Sequence, residues 1–350
     1  MSKFSITEQY TEKLEKPLLE ELKQKAKNLK DDLTPEEISK LEPRLFSRVE
    51  YNQGEAEKVG YSDYSYWRGT LRMFLKDKVA IVTLCILVVV ILFTLLQPLM
   101  PGQMDPNLIN NDPTTGMQIS NQKPNATFWF GTNSIGQDLW SRLWAGTRTS
   151  LFIGLSVALI QTVVGIGMGV LWGYIRMLDF FFTELYNVVS NIPTTIILIL
   201  ASYIMRPSVS TIIIAMCITG WLGMARFIRN QVLIIRDRDF NLASRCLGTP
   251  TWRLILKNLL PQMVSIITLR MSLAIPGAIG SEVFLTYIGL GLPVETPSLG
   301  NLVDQGRVLM MSPALRYQLI FPAVVVSVIT VCFYLCGNAF ADAADPKNHT

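Results

Sequence analysis

From residue 79 onward the chain alternates long apolar runs with short polar breaks, a pattern suited to the bilayer as solvent. The first run, 79–96, is rich in Val, Ile and Leu, close to the roughly 20 residues a helix needs to cross about 30 Å of hydrocarbon. Further runs fall at 149–175, 185–205, 207–225, 266–290 and 318–340, so the pattern predicts an all-α polytopic membrane protein with six transmembrane helices. Pro, Asn, Asp and Gly fill the stretch 98–148, which predicts an irregular segment outside the membrane. The 149–175 run carries Gly165, Gly169 and Gly173 at i, i+4 and i+8, a stripe along which a second helix can approach closely. Gly165-Ile166-Gly167 has the look of a dinucleotide-binding turn, but no strand and no polar phosphate loop accompany it.

Charge orients this array. Lys76 and Lys78 precede the first span, and Arg226, Arg229, Arg236, Arg238, Arg245, Arg253 and Lys257 crowd 226–257 against Asp237 and Asp239. The positive-inside rule places both segments in the cytoplasm, and six crossings return the C-terminus to the side of the N-terminus. The expected organisation is a charged cytoplasmic tail (1–78), a first transmembrane helix (79–97), an extracellular segment (98–146), a five-helix membrane domain (147–340) and a cytoplasmic C-terminal tail (341–350). The first 78 residues hold 15 Lys/Arg and 15 Asp/Glu, so the formal charge of +4 resides beyond them and a basic nucleic-acid arm is excluded. Residues 1–30 lack the apolar core of a signal peptide. The Leu/Glu/Lys-rich run 12–30 predicts a surface helix, and Thr34-Pro35-Glu36-Glu37 a capping box. Residues 61–74, with Tyr64, Tyr66, Trp67, Arg68, Arg72 and Phe74, read as an amphipathic segment resting at the membrane interface.

Composition narrows the chemistry. The sole histidine is His349, which leaves no imidazole for acid–base work or metal binding among the spans. Four of the five cysteines, Cys85, Cys217, Cys332 and Cys336, lie in apolar runs, where they pack as small hydrophobes; Cys246 does not. No G-x-x-x-x-G-K-[ST] phosphate loop occurs. Active transport would therefore draw on an ion gradient or on ATP bound by another chain. Ion-coupled carriers usually show several intramembrane carboxylates or matching broken helices, whereas here one carboxylate, Glu282, stands clearly within a span. A lone carboxylate in hydrocarbon costs about 2.5–3.5 kcal/mol or more, so Glu282 should face the protein interior. There it would be a structural hydrogen-bonding residue, or a lining residue that meets a peptide amine or a partner subunit.

The basic loop 239–261 reads as two short helices, one ending at a Gly248 cap and one starting near Thr249-Pro250 and stopping before Pro261. Small residues Ala243 and Ser244 leave the first helix slim on one side, suited to a groove in another protein, although a plain surface connector has the same spacing. The loop resembles the EAA motif of binding-protein-dependent ABC importer permeases. Ala243, Gly248, Leu260 and Pro261 match that motif, Ser244 replaces its second alanine, and Leu242 stands where its glutamate usually sits. Two further blocks are similar to the dipeptide and oligopeptide permeases, closest to their C-type subunit: Gly131-Thr132 with 134–142, and 284–291 with 297–301. The resemblance runs from about residue 76 to 345 and leaves the charged tail unexplained.

That resemblance implies a type I ABC importer permease fold with a cytoplasmic coupling helix. The implied partners are a second homologous permease, two ATPase subunits, an external substrate-binding lipoprotein, a peptide substrate and membrane lipid, with no nucleic acid. The chain itself would bind no cofactor; ATP and Mg would sit on the ATPases, and the chain is not by itself an enzyme. Leu242, Ala243, Ser244, Arg245, Gly248, Thr249, Trp252 and Pro261 would couple to the ATPase, while Glu282, Phe284 and Tyr287 would line the path or the permease interface. The same machine carries other cargo in related systems, nickel and glutathione among them, and a non-transporting membrane scaffold is the alternative class.

Overall fold

A computed structural model describes residues 66–344. The tail helix expected at 12–30, the capping box at Thr34, the start of the interfacial segment and His349 lie outside the described residues. Helix α1 is Tyr66–Phe74 and α2 is Lys78–Leu96; Asp77 caps α2 by accepting a hydrogen bond from the Val79 amide at 2.8 Å. Helix α3 (Leu139–Tyr174) is followed by α4 (Arg176–Ser190), α5 (Thr194–Ile204) and α6 (Val209–Ile235). The chain continues through α7 (Asp239–Cys246), α8 (Thr251–Leu254), α9 (Leu260–Tyr287), α10 (Leu299–Val308) and α11 (Tyr317–Ala344). No strand occurs among the described residues, only isolated bridges such as Ile109 with Gln137.

Among the described residues, five helical stretches are long and apolar enough to cross a membrane: Lys78–Leu99, Leu139–Tyr174, Val209–Ile235, Thr251–Tyr287 and Tyr317–Ala344. The expected third span is instead the pair α4 and α5, bent by 78° at Asn191-Ile192-Pro193, and it makes a sixth if taken as one. Proline supplies the break: Pro193 has no N–H to continue the α4 ladder and disfavours helical geometry in the residue before it. Two other spans run past their expected ends. Helix α6 continues ten residues beyond Ala225 because Arg226 and Arg229 end the apolar region without ending the helix. Helix α3 starts at Leu139, where Asp138 caps it by accepting from the Ser141 amide.

Glycine decides how α3 and α6 meet. A Cβ on Gly169 would lie 2.5 Å from the Ala225 carbonyl oxygen, and one on Gly173 2.9 Å from Val232 Cβ, so the expected stripe is the contact line. Gly167, midway between Gly165 and Gly169 and off the stripe, has nothing within 4 Å. Around this pair a first core joins α2, α3, α9, α10 and α11 through Leu87, Leu143, Leu151, Ile275, Ile279, Leu302 and Phe333. A second core, with Val170, Ile228, Val232, Leu254, Leu259 and Met263, ties the α8 segment to α3, α6 and α9. Helix α1 packs Phe74 on Phe340 of α11, ring centroids 5.9 Å apart.

Candidate functional site

Helix α3, 36 residues or about 54 Å long, separates two polar ends. At its Leu139 end the 98–138 segment is folded back on the helices. Fully buried Arg142 donates to the carbonyls of Val294 (2.8 Å) and Pro106 (3.3 Å) and to Asn107 Oδ1 (3.3 Å). Tyr317 donates its hydroxyl to the Gln122 carbonyl at 2.8 Å, and Asn107 donates to the Glu295 carbonyl at 2.9 Å.

The other end carries α7 and α8. Gly248 (φ +76°) closes α7 with a Schellman turn: its amide donates to the Arg245 carbonyl at 2.9 Å, and the Thr249 amide donates to the Ser244 carbonyl at 3.1 Å. The expected stop before Pro261 is absent. Helix α8 passes through a π-helical turn, Ile255–Leu259, straight into α9, placing the widened turn just ahead of the residue that has no N–H to donate.

Sequence reasoning missed the residue that anchors this elbow. Asn241, fully buried, donates Nδ2 to the Ile235 carbonyl at 2.8 Å and accepts from Asn258 Nδ2 at 3.2 Å, which joins α7 to α6 and to the π turn. Asn258 also donates to Ser244 Oγ at 3.3 Å. Arg245 donates to the Arg236 carbonyl (2.9 Å) and stacks over Tyr174, while Arg236 donates to the Gly173 carbonyl (2.8 Å). The elbow is thus tied to the ends of α3, α6 and α9. Its exposed surface carries apolar side chains among charged ones: Phe240, Ala243 and Leu247 follow one face at i, i+3 and i+7, Leu247 being 86% exposed, and Leu242, Trp252 and Leu256 are exposed too, alongside Asp239, Arg245, Arg253 and Lys257.

Between the two ends lies a cleft of about 290 Å³, walled by Val157 and Gln161 of α3, Thr194 and Leu198 of α5, Met216, Thr219 and Gly220 of α6, and Ala274, Gly277, Ala278 and Ser281 of α9. Gln161 donates to the Met216 carbonyl at 3.1 Å. The wall is small and neutral, with no charged side chain. The signal available in sequence was Gln161, the one amide in the 149–175 run.

Glu282 does not line that cleft. It is fully buried, and every partner is a donor: Ser298 Oγ (2.7 Å) and Thr286 Oγ1 (3.2 Å) to Oε1, the Gly300 amide (3.3 Å) and Ser150 Oγ (3.4 Å) to Oε2. The carboxyl therefore sits at the N-terminus of α10, where unpaired amides favour an acceptor, and clasps α10 to α9 and α3. Phe284 and Tyr287, three apart, point to the opposite, exposed face of α9; the Arg307 guanidinium lies 4.2 Å from the Tyr287 ring centre.

Apolar spans, a neutral cleft among them and an elbow that displays apolar side chains describe a helical membrane protein. The chain belongs to the family of binding-protein-dependent transport system inner membrane components, whose model matches residues 161–350; the N-terminal TM domain of oligopeptide transport permease C matches residues 65–124. Among relatives, the oligopeptide transport system permease protein AmiD of Streptococcus pneumoniae is 36% identical over 312 residues, covering 89% of this chain and all of that one. The oligopeptide permease OppC of Bacillus subtilis is 34% identical over 87% of this chain and 97% of its own length, and the dipeptide permease DppC of the same organism 33% identical over 91% and 97%. A solved MetNI methionine ABC transporter in inward-facing conformations covers 58% of this chain and 96% of that chain at 18% identity and a TM-score of 0.47, too slight a likeness to carry an argument. The resemblance carried by the three motif blocks is borne out at the level of the family.

Proposed function

We propose that this chain is one of two membrane subunits of an ATP-driven importer of short peptides, and that a separate ATPase, holding ATP and Mg, grips it at the 239–261 elbow. The observation that carries the reading is the pairing of exposed apolar side chains on α7 and α8 with a set of hydrogen bonds that tie those helices to three spans. An exposed apolar patch on a rigid mount is what a partner groove recognises, and a rigid mount passes a push into the helices that wall the cleft. In this reading Leu242, Ala243, Leu247 and Trp252 enter the ATPase, whereas Asn241, Arg245 and Gly248 hold their shape. The elbow and both termini face the cytoplasm, and the 98–138 and 288–316 segments form the outer surface on which a peptide-binding lipoprotein docks. Names of relatives supply the cargo class, oligopeptide or dipeptide.

Co-purification tests it. A tagged chain should bring down an ATPase pair, and Leu242→Asp with Ala243→Trp should lose it while the second permease stays bound. Retained ATPase in that variant would show that the elbow is not the docking surface.

A further inference from the structure

Two arginines lie about a turn beyond the cleft lining, toward the elbow, on two of the helices that wall it, and neither has an ion-pair partner among the described residues. Along α9, Arg270, Ala274, Gly277 and Ser281 follow one face at helical spacing, and the last three wall the cleft. Along α6, Thr219, Gly223 and Arg226 do the same at i, i+4 and i+7, with Thr219 and Gly223 walling an adjoining recess of the same gap. Both stripes run from small neutral residues to an exposed arginine. Each guanidinium is propped on an aromatic ring rather than on a carboxylate: Arg226 is 4.3 Å from the Tyr186 ring centre and Arg270 4.4 Å from that of Phe227. Neither forms an ion pair among the described residues, whereas their neighbour Arg229 is held by Asp179 at 2.6 Å. Counting back about 20 residues from Tyr287 puts the boundary of the hydrocarbon near residue 267, so Arg270 sits just inside it.

We infer that Arg226 and Arg270 form a carboxylate-binding station at the cytoplasmic mouth of the cleft, which takes the free C-terminal carboxylate of a peptide as it leaves. The inference rests on the peptide-import reading above. With Glu282 sequestered and the cleft wall neutral, these two cations come next along the helices that wall the route, and a guanidinium placed over a ring still offers N–H groups to a carboxylate. A peptide ammonium finds no counterpart there, so the station sets which end of the chain is favoured at the exit.

The test is uptake by the complete complex reconstituted in vesicles, comparing one peptide with its C-terminal amide. The external receptor and ATPases are common to all variants, so a change in the carboxylate-to-amide ratio reports this chain. Wild type should favour the free carboxylate about tenfold, as a charge-assisted pair would give. Arg226→Gln with Arg270→Gln should bring the ratio near one, and Arg270→Lys, which keeps the charge but loses the ring-propped guanidinium, should keep only part of it. A wild-type ratio of one, or an unchanged ratio in the double variant, overturns the inference while leaving peptide import standing. Repeating the assay with and without phosphatidylglycerol covers the other source of an anion: if removing that lipid and the double substitution each lower uptake of both peptides alike, with the ratio unmoved, the arginines serve lipid phosphate and the inference fails. A complex that hydrolyses ATP yet imports neither peptide removes the proposed function and this inference with it.

Discussion

Replacing Glu282 by alanine should loosen the first turn of α10 far more than it weakens the rest of the molecule. Of the four donors that meet the carboxyl, Thr286 has a second acceptor in the Glu282 carbonyl at 3.0 Å, and the Ser150 contact is long at 3.4 Å. The loss therefore falls on the Ser298 hydroxyl and the Gly300 amide, both buried, at about 1–3 kcal/mol for a buried polar group left without its partner. Allowing for partial relaxation, the local cost is about 2–4 kcal/mol, or roughly 30- to 700-fold in amide exchange of Leu299, Gly300 and Asn301 if this turn opens locally. Gly300→Ala reaches the same clasp from the other side, because its Cβ would fall 2.5 Å from Glu282 Oε1. The two changes share one interaction, so the double variant should cost much less than the sum of the singles. Hydrogen exchange on the purified protein reads this directly. Unaltered protection in both single variants, or Glu282→Gln changing transport with protection intact, would refute the clasp and return Glu282 to the transport route.

Two further predictions follow from the packing. Gly169→Ala should destabilise the fold by about 1–3 kcal/mol through the clash with the Ala225 carbonyl, while Gly167→Ala, with open space around it, should leave thermal unfolding unchanged or slightly raised. Asn241→Ala should cost about 0.5–1.5 kcal/mol by removing the bonds that join α7 to α6 and to the π turn, since the Ile235 carbonyl keeps the Arg238 amide and Asn258 keeps Ser244 Oγ, and in the complex it should lower uptake per ATP hydrolysed while ATPase binding persists. Loss of ATPase binding in that variant would place Asn241 on the docking face instead.

Much of this architecture is legible in the sequence because bilayer solvation acts on composition. The five continuous spans, the α3 stripe of Gly165, Gly169 and Gly173, and the Gly248 cap each follow from local residue types. What escapes depends on partners far along the chain. Ser150, Ser298 and Gly300 come to Glu282 from separate elements, and nothing in the spacing of the α9 residues announces them. Asn241 is one polar residue in a polar loop until Ile235 and Asn258 close around it. The ends of α6 were obscure for another reason: arginines mark where hydrocarbon stops, and a helix is free to continue into water. Pro193 was visible, yet a proline in an apolar run is compatible with a kinked span or with two helices, and the angle is set by packing.

Cys246 gives the most direct test, since it is native, exposed and adjacent to Arg245 on the elbow. With Cys85, Cys217, Cys332 and Cys336 replaced by serine or alanine, a membrane-impermeant maleimide should leave Cys246 unlabelled in intact cells. In inverted vesicles it should react slowly while the ATPases are bound and rapidly once they are stripped. Labelling in intact cells, or a rate indifferent to removal of the ATPases, would contradict a cytoplasmic elbow held in the groove of another chain.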